Sequence, residues 1–288
     1  MKTLLAYVEL SRPLNGIIAF ISAWLGGIFA GGHKIENITH VKLIYVSIAA
    51  LLLLSAGNAI NDYCDFNIDK INKPKRPIPS GRINRFHALI FSLIMMFFGI
   101  GLGVLINLYA VGIAILVCCL LMSYAVWLKR TPFIGNLVVS SLTSITFISG
   151  GVAIGIVHGT IIPAIFAFLF TTAREIVKDI EDTEGDIKNN LNTLAILNPK
   201  LATVVALVFM ASVIIFSPIP YLFGWYTWHY LAVIILGVDI VLIVLGYRLW
   251  KDASKTSCAL VQRWMKWDIF IGLAAIYIGI IFNANGGW

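Results

Sequence analysis

Nine long apolar runs constrain this chain more than any other feature. They fall at about 14–31, 41–61, 87–106, 109–128, 134–156, 161–178, 201–221, 229–247 and 269–284. Each approaches or exceeds the ~20 residues that carry an α-helix across a ~30 Å hydrocarbon core. A bilayer offers backbone groups no water, so such segments must satisfy their hydrogen bonds internally, as helices. The runs are apolar on every face and lack the strict alternation of a membrane β-barrel. Hydrophobic residues make up 59% of the 288 and charged residues 12%. A soluble domain carries about 25% charge. The sequence therefore predicts an all-α, polytopic membrane protein with about nine transmembrane helices in one bundle. No linker or low-complexity tract divides it, so residues 1–288 read as a single domain.

Charge gives the orientation. With nine spans, 19 of the 21 basic residues fall on the side of the N-terminus, and only Lys34 and Lys42 on the other. By the positive-inside bias the N-terminus is cytoplasmic and the C-terminus outside. The expected location is the cell membrane, multi-pass, with the polar working face toward the cytoplasm. The net charge of +7 then reflects topology and anion handling, and nucleic acid is not an expected partner. The first run follows Arg12-Pro13 without a small-residue cleavage site, so it reads as a retained span. Cys64, Cys118, Cys119 and Cys258 show no metal-ligand spacing, and structural disulfides are not expected.

A polar pattern occurs twice. Asn58, Asp62, Asp65 and Asp69 stand at offsets 0, 4, 7 and 11, and so do Glu175, Asp179, Asp182 and Asp186. On an α-helix these offsets fall on one narrow stripe. Carboxylates packed this densely repel one another unless a cation intervenes, and oxygen-only ligands suit Mg²⁺ shared with substrate phosphates. A solvated helix cap is the bland alternative, but one identical spacing in two places argues against it. The first stripe is followed by KINKPKRPIPSGRINRF (70–86), where Pro74, Pro77 and Pro79 prevent further helix. Its basic residues suggest a mobile cationic lid that orders on substrate. Two Mg²⁺ ions between facing carboxylate clusters, closed by Lys and Arg, would suit ionisation of an allylic diphosphate. The isoprenoid tail would lie in a dry tunnel among the helices.

These motifs resemble the UbiA-type intramembrane prenyltransferases. NDYCDFNID matches their N-D-x-x-D-x-x-x-D signature, and DIEDTEGD resembles their second aspartate motif. R-P-L-N at 12–15, N-K-P-K-R-P-I-P-S-G at 72–81 and Y-A-V-W-L-K-R at 124–130 follow in register, from about residue 11 to 195. The resemblance implies that Asp62, Asp65 and Asp69 hold one Mg²⁺, and Asp179, Asp182 and Asp186 the other. Asp62, Asp65, Asp179 and Asp182 would be central to catalysis. Asn58 matches a diphosphate or water-shell contact. Asn15, Lys73, Arg76, Arg82, Lys129 and Arg130 match polar or basic positions near diphosphate or acceptor, and Tyr124 is a further candidate for the acceptor pocket. Within the family, residues 174–186 look most like archaeal enzymes that add a second geranylgeranyl chain to geranylgeranylglyceryl phosphate. The implied partners are a prenyl diphosphate donor, a lipid-like phosphate acceptor and membrane lipids.

Other readings accompany these. An aromatic acceptor is the alternative within the family. A cation-coupled transporter is the alternative outside it, although its acids belong near the bilayer middle rather than at span ends. Glu175 could pair with Lys178 or Arg174 instead of joining its stripe. Glu181 and Glu184 point off the stripe and should be solvated. Asp239, inside a span, is either a functional carboxylate or a structural hydrogen bond. The cluster Ser140, Ser141, Thr143, Ser144 and Thr146 reads as helix-packing glue, with lining of the acceptor pocket as its alternative; Tyr124 carries the same two readings, and the aromatics of 221–230 read as an interfacial belt.

Overall fold

The computed structural model describes residues 2–31, 37–188 and 191–282. Lys34 and positions 283–284 of the last expected span lie outside the described residues. The helices, in chain order, are α1 (Lys2–Ser11), α2 (Pro13–Gly31), α3 (Asn37–Cys64), α4 (Phe66–Asn72), α5 (Arg85–Val104), α6 (Leu108–Val126) and α7 (Ile134–Ile154). They continue with α8 (Ile161–Lys188), α9 (Leu194–Leu197), α10 (Pro199–Phe216), α11 (Ile219–Leu222), α12 (Trp228–Ile234), α13 (Ile240–Lys251) and α14 (Lys255–Ile281). Among the described residues nine helical segments are long and apolar enough to cross a membrane.

Their limits improve on the apolar runs at two places. The last span begins at Lys255 rather than 269. Arg263, Lys266 and Asp268 depress hydropathy there, yet Cys258, Val261, Met265 and Asp268 are all buried at helical spacing. Continuous helix leaves the charged residues between them on other faces. The sixth span runs on past 178 to carry the whole second stripe within α8.

The chain divides into two compact units. One comprises Met1–Ala30, Ile35–Leu128 and Ile145–Val157; the other comprises Gly31–Lys34, Lys129–Ser144 and His158–Trp288. In the first unit α3 packs along α5 and α6. α5 buries Ala88, Ser92, Met96, Gly99 and Gly103 at helical period, and turns Leu93, Phe97 and Phe98 outward. That outward face is apolar because its solvent is lipid. Asn84 caps α5, its side chain accepting from Phe86 N (2.8 Å), and Asn107 caps α6 by accepting from Ala110 N (2.8 Å). Gly26 and Gly150 let α2 and the second half of α7 touch through backbone, since a Cβ at either would strike main-chain oxygen of the other segment. Lipid supplies no hydrophobic drive for helices to associate, so small residues that allow close approach take that role.

In the second unit α8 packs against α10 and α14, and α12 against α14. Thr172 Oγ1 donates to Ser140 Oγ (2.8 Å) and Ser144 Oγ donates to Ala164 O (2.8 Å), which tie α7 to α8 as the packing reading expected. The aromatic belt needs correction. Trp228, Leu222 and Phe223 are exposed, but Tyr226 and Tyr230 are buried in the bundle.

Candidate functional site

The first stripe spans a break. α3 ends at Cys64, Asp65 adopts φ −85° and ψ 6°, and α4 resumes at Phe66. One unbroken helix was expected here. The turn is nevertheless bridged by Asp65 N donating to Asn61 O (2.9 Å) and Asp69 N donating to Asp65 O (2.8 Å). The register survives, and Asn58, Asp62 and Asp69 are all buried while Asp65 is half-buried.

A guanidinium joins the two buried carboxylates. Arg76 Nη1 lies 3.1 Å from Asp62 Oδ1 and 2.6 Å from Asp69 Oδ2. A second cation, Arg12, approaches the same Asp62 oxygen at 2.5 Å and donates to Asn58 Oδ1 at 3.3 Å. Asn58 in turn donates to Ser11 O (3.0 Å). Sequence reasoning missed Arg12 and chose Asn15 from the same motif, yet Asn15 is exposed on the first turn of α2. The available signal was Pro13. A residue before proline is driven out of right-handed helix, and Arg12 takes φ +51° at the α1–α2 corner, a conformation uncommon outside glycine. That corner aims its side chain back at Asp62.

The second stripe lies on unbroken α8 and is differently partnered. Asp179 Oδ2 accepts from Asn136 Nδ2 (2.8 Å), on α7. Asn136 also went unnoticed in sequence, although a lone amide near the end of an apolar run was a usable signal. The nearby cations serve Glu175, whose carboxylate meets Arg174 (3.0 Å) and Lys178 (3.2 Å). Arg174 also reaches Gln262 (3.1 Å). Asp182 is exposed and Asp186 half-buried. Glu184 is exposed and pairs with Lys255 (3.3 Å). Glu181, expected to be solvated, is half-buried with Oε2 shielded from solvent.

The basic loop is packed rather than loose. Ile78 and Ile83 are each 3% exposed and sit in a cluster with Ala6, Leu10, Ala59 and Ala88. Ser80 N donates to Arg76 O (3.0 Å) and Ile83 N to Pro77 O (3.0 Å). Arg82 forks onto Glu9 (2.6 and 3.0 Å) and Lys75 O (2.6 Å). The Glu9 hydrogen bond holds its guanidinium above the ordinary arginine range. A mobile lid was expected because its charges seemed to lack partners; Arg76 and Arg82 have them. Beside it Glu9, Lys73, Pro74, Lys75 and Arg76 line an open cleft of about 330 Å³. Lys73 is exposed, Tyr124 is half-buried on α6, and Lys129 (half-buried) and Arg130 (exposed) form one tight turn, Leu128–Arg130.

Among the described residues no three His, Cys, Asp or Glu side chains converge closely enough to enclose a metal ion. The first stripe still fits a cation, because a positively charged nitrogen already bridges Asp62 and Asp69. Its donors are all oxygen, as hard divalent ions prefer.

An all-helical membrane bundle with a buried acidic stripe, arginines against it and a basic cleft is the architecture of an intramembrane protein suited to handling anionic groups. Residues 19–270 match the UbiA prenyltransferase family, and the chain belongs to that family. The transporter reading is thereby set aside. A digeranylgeranylglyceryl phosphate synthase of Methanosphaera stadtmanae is 38% identical over 277 residues, covering 96% of this chain and 99% of that protein. A solved structure concerned with digeranylgeranylglyceryl phosphate synthase in membranes is 35% identical, with a TM-score of 0.83 over 98% of this chain and 99% of that one. A UbiA homologue from Archaeoglobus fulgidus, solved with DMAPP and Mg²⁺, shares the fold. It has a TM-score of 0.67 at 16% identity, over 94% of this chain and 99% of that one.

Proposed function

We propose that this prenyltransferase moves a geranylgeranyl group from geranylgeranyl diphosphate to geranylgeranylglyceryl phosphate, forming the second ether bond of archaeal membrane lipids. One observation carries the choice of acceptor: the near full-length similarity to digeranylgeranylglyceryl phosphate synthases, at 38% identity over 96% of the chain. The basic cleft of Lys73, Lys75 and Arg76 supports it, since this acceptor carries a phosphate of its own.

In this reading the acidic stripes would hold Mg²⁺, which when bound would supply positive charge for the departing diphosphate. Two ions are proposed, one for Asp62, Asp65 and Asp69 and one for Asp179, Asp182 and Asp186. Mg²⁺ bound with a prenyl diphosphate in the Archaeoglobus homologue supports the choice of metal. Arg12 and Arg76 neutralise the first stripe at rest, and Arg76, with Lys73, binds phosphate oxygens when donor arrives. Asn58 orients Arg12 and Asp62. The donor C–O bond breaks, diphosphate leaves with the electron pair, and the acceptor hydroxyl oxygen forms the new C–O bond. Its proton passes to diphosphate or water, so no dedicated base is required. The apolar bundle excludes water that would otherwise capture the allylic cation. The charge bias of the loops supports a cytoplasmic N-terminus and a cytoplasm-facing site in the cell membrane.

Purified protein supplied with radiolabelled geranylgeranyl diphosphate is offered either geranylgeranylglyceryl phosphate or 4-hydroxybenzoate. Ether product from the lipid acceptor alone, abolished by excess chelator and restored by Mg²⁺, is expected. Prenylation of the aromatic acid alone would overturn the acceptor, and full turnover in chelator would overturn the metal.

A further inference from the structure

A polar cluster inside the second unit has no part in the reaction above. It lies at the end of α10 opposite the loop that follows the second stripe. Asp239, Asp268 and Ser217 are 5%, 2% and 0% exposed, and each falls within a membrane-crossing segment. Ser217 Oγ donates to Asp239 Oδ2 (2.7 Å), and the Tyr230 hydroxyl donates to Ser217 O (2.8 Å). The Tyr226 ring packs edge-on against Tyr230 at 4.9 Å.

Three features point beyond helix packing. Asp239 Oδ1, both carboxylate oxygens of Asp268 and the Tyr226 hydroxyl are buried without a hydrogen-bond partner. Gly237 lies against Ile271 and Gly272 against Val238, so the two helices approach closely at this level. Asp239 and Asp268 stand beside these contact positions, two residues from Gly237 and three from Ile271. Finally, the π turn Ile235–Asp239 interrupts the α-helix at Asp239 itself, and such turns concentrate at functional sites. Two carboxylates in a membrane bundle, with three oxygens unsatisfied and no basic partner, are costly unless something positive joins them.

We propose that Asp239, Asp268 and Ser217 form a buried site for a small hard cation, Na⁺. The donors are all oxygen, which selects hard ions. Ca²⁺ takes roughly six to eight oxygens, and Mg²⁺ keeps several waters in a strict octahedron; this cluster offers fewer donors in apolar surroundings. One Na⁺, with a proton retained on the second carboxyl, leaves the pair neutral.

The full chain in nanodiscs, at fixed Mg²⁺ and constant ionic strength with choline replacing Na⁺, tests this by thermal unfolding and ²²Na⁺ equilibrium binding. The expected result is a saturable rise in Tm of a few degrees with Na⁺ and about one bound Na⁺ per chain. Asp268→Asn should lose both responses while keeping wild-type prenyl transfer. Should that variant fail to fold, Ser217→Ala decides, by raising the Na⁺ midpoint about tenfold. A Tm indifferent to Na⁺, an equal response to K⁺ or choline, no bound ²²Na⁺, or an unaltered response in either variant overturns the site.

Discussion

In the first acidic stripe Asp62 and Asp69 meet a guanidinium, whereas in the second Asp179 meets the amide of Asn136 and the neighbouring cations go to Glu175. Both stripes repeat the same four offsets. One crosses a helix break at Asp65 and the other runs along continuous α8. Identical spacing thus sets only the direction in which side chains point. Their electrostatic state depends on what the surrounding helices and loops bring to them. The first stripe rests against guanidinium cations, whereas Asp179 in the second rests against an amide and the ion pairs beside it belong to Glu175.

The largest effects should fall on turnover. Asp62→Asn and Asp179→Asn should each slow prenyl transfer by about 10³-fold, the scale of losing a main electrostatic stabiliser, measured as initial rates with labelled donor. Their stabilities should diverge. Asp62→Asn leaves Arg12 and Arg76 with a weakened partner in a partly buried site and should cost on the order of 3 kcal/mol. Asp179→Asn can still accept from Asn136 and should cost less than about 1 kcal/mol. Equal Tm losses would break the distinction.

Metal affinity sharpens the comparison next. Arg76→Gln removes a cation that competes for Asp62 and Asp69, so Mg²⁺ binding without donor should tighten by about tenfold in calorimetry, even as turnover falls by about 10². Lys178→Gln should change Mg²⁺ affinity by less than about threefold, because Lys178 serves Glu175. Weaker Mg²⁺ binding in Arg76→Gln would show that the arginine assists the metal rather than substituting for it.

Packing of the loop should matter to the first stripe alone. Ile78→Ala empties a buried position in the cluster that anchors Arg76 and should destabilise by about 2–4 kcal/mol. Protease cleavage within 73–84 should rise several-fold. Unchanged cleavage would return the segment to the mobile lid that its composition suggested. The smallest effect is expected at the second stripe: Asn136→Ala should lower kcat by about threefold to tenfold, with little change in Tm.

The site was legible in sequence to the extent that its chemistry is local. Asp62, Asp69 and Asp179 were picked out as candidates from spacing, and Arg76 from the resemblance of its loop to the family's. Arg12 and Asn136 were not, because Arg12 stands fifty residues from Asp62 and Asn136 stands 43 from Asp179. Nothing in the spacing of one helix names the side chain that arrives from another. The loop misled for the same reason. Its charges are visible in the sequence, but Ile78 and Ile83 reveal themselves as anchors only where α1, α3 and α5 meet them.

The sequence by itself determined the all-helical fold, the nine spans and the two stripes. In a bilayer each segment must satisfy its own backbone hydrogen bonds, so local hydropathy and local period dictate the element. Tertiary structure alone decided that Arg12 and Arg76 meet Asp62, that Asp179 accepts from Asn136, and that Tyr226, Tyr230 and Asp268 turn inward. Side-chain neutralisation and burial are settled by contacts between elements, and which faces come into contact is a property of the packed bundle.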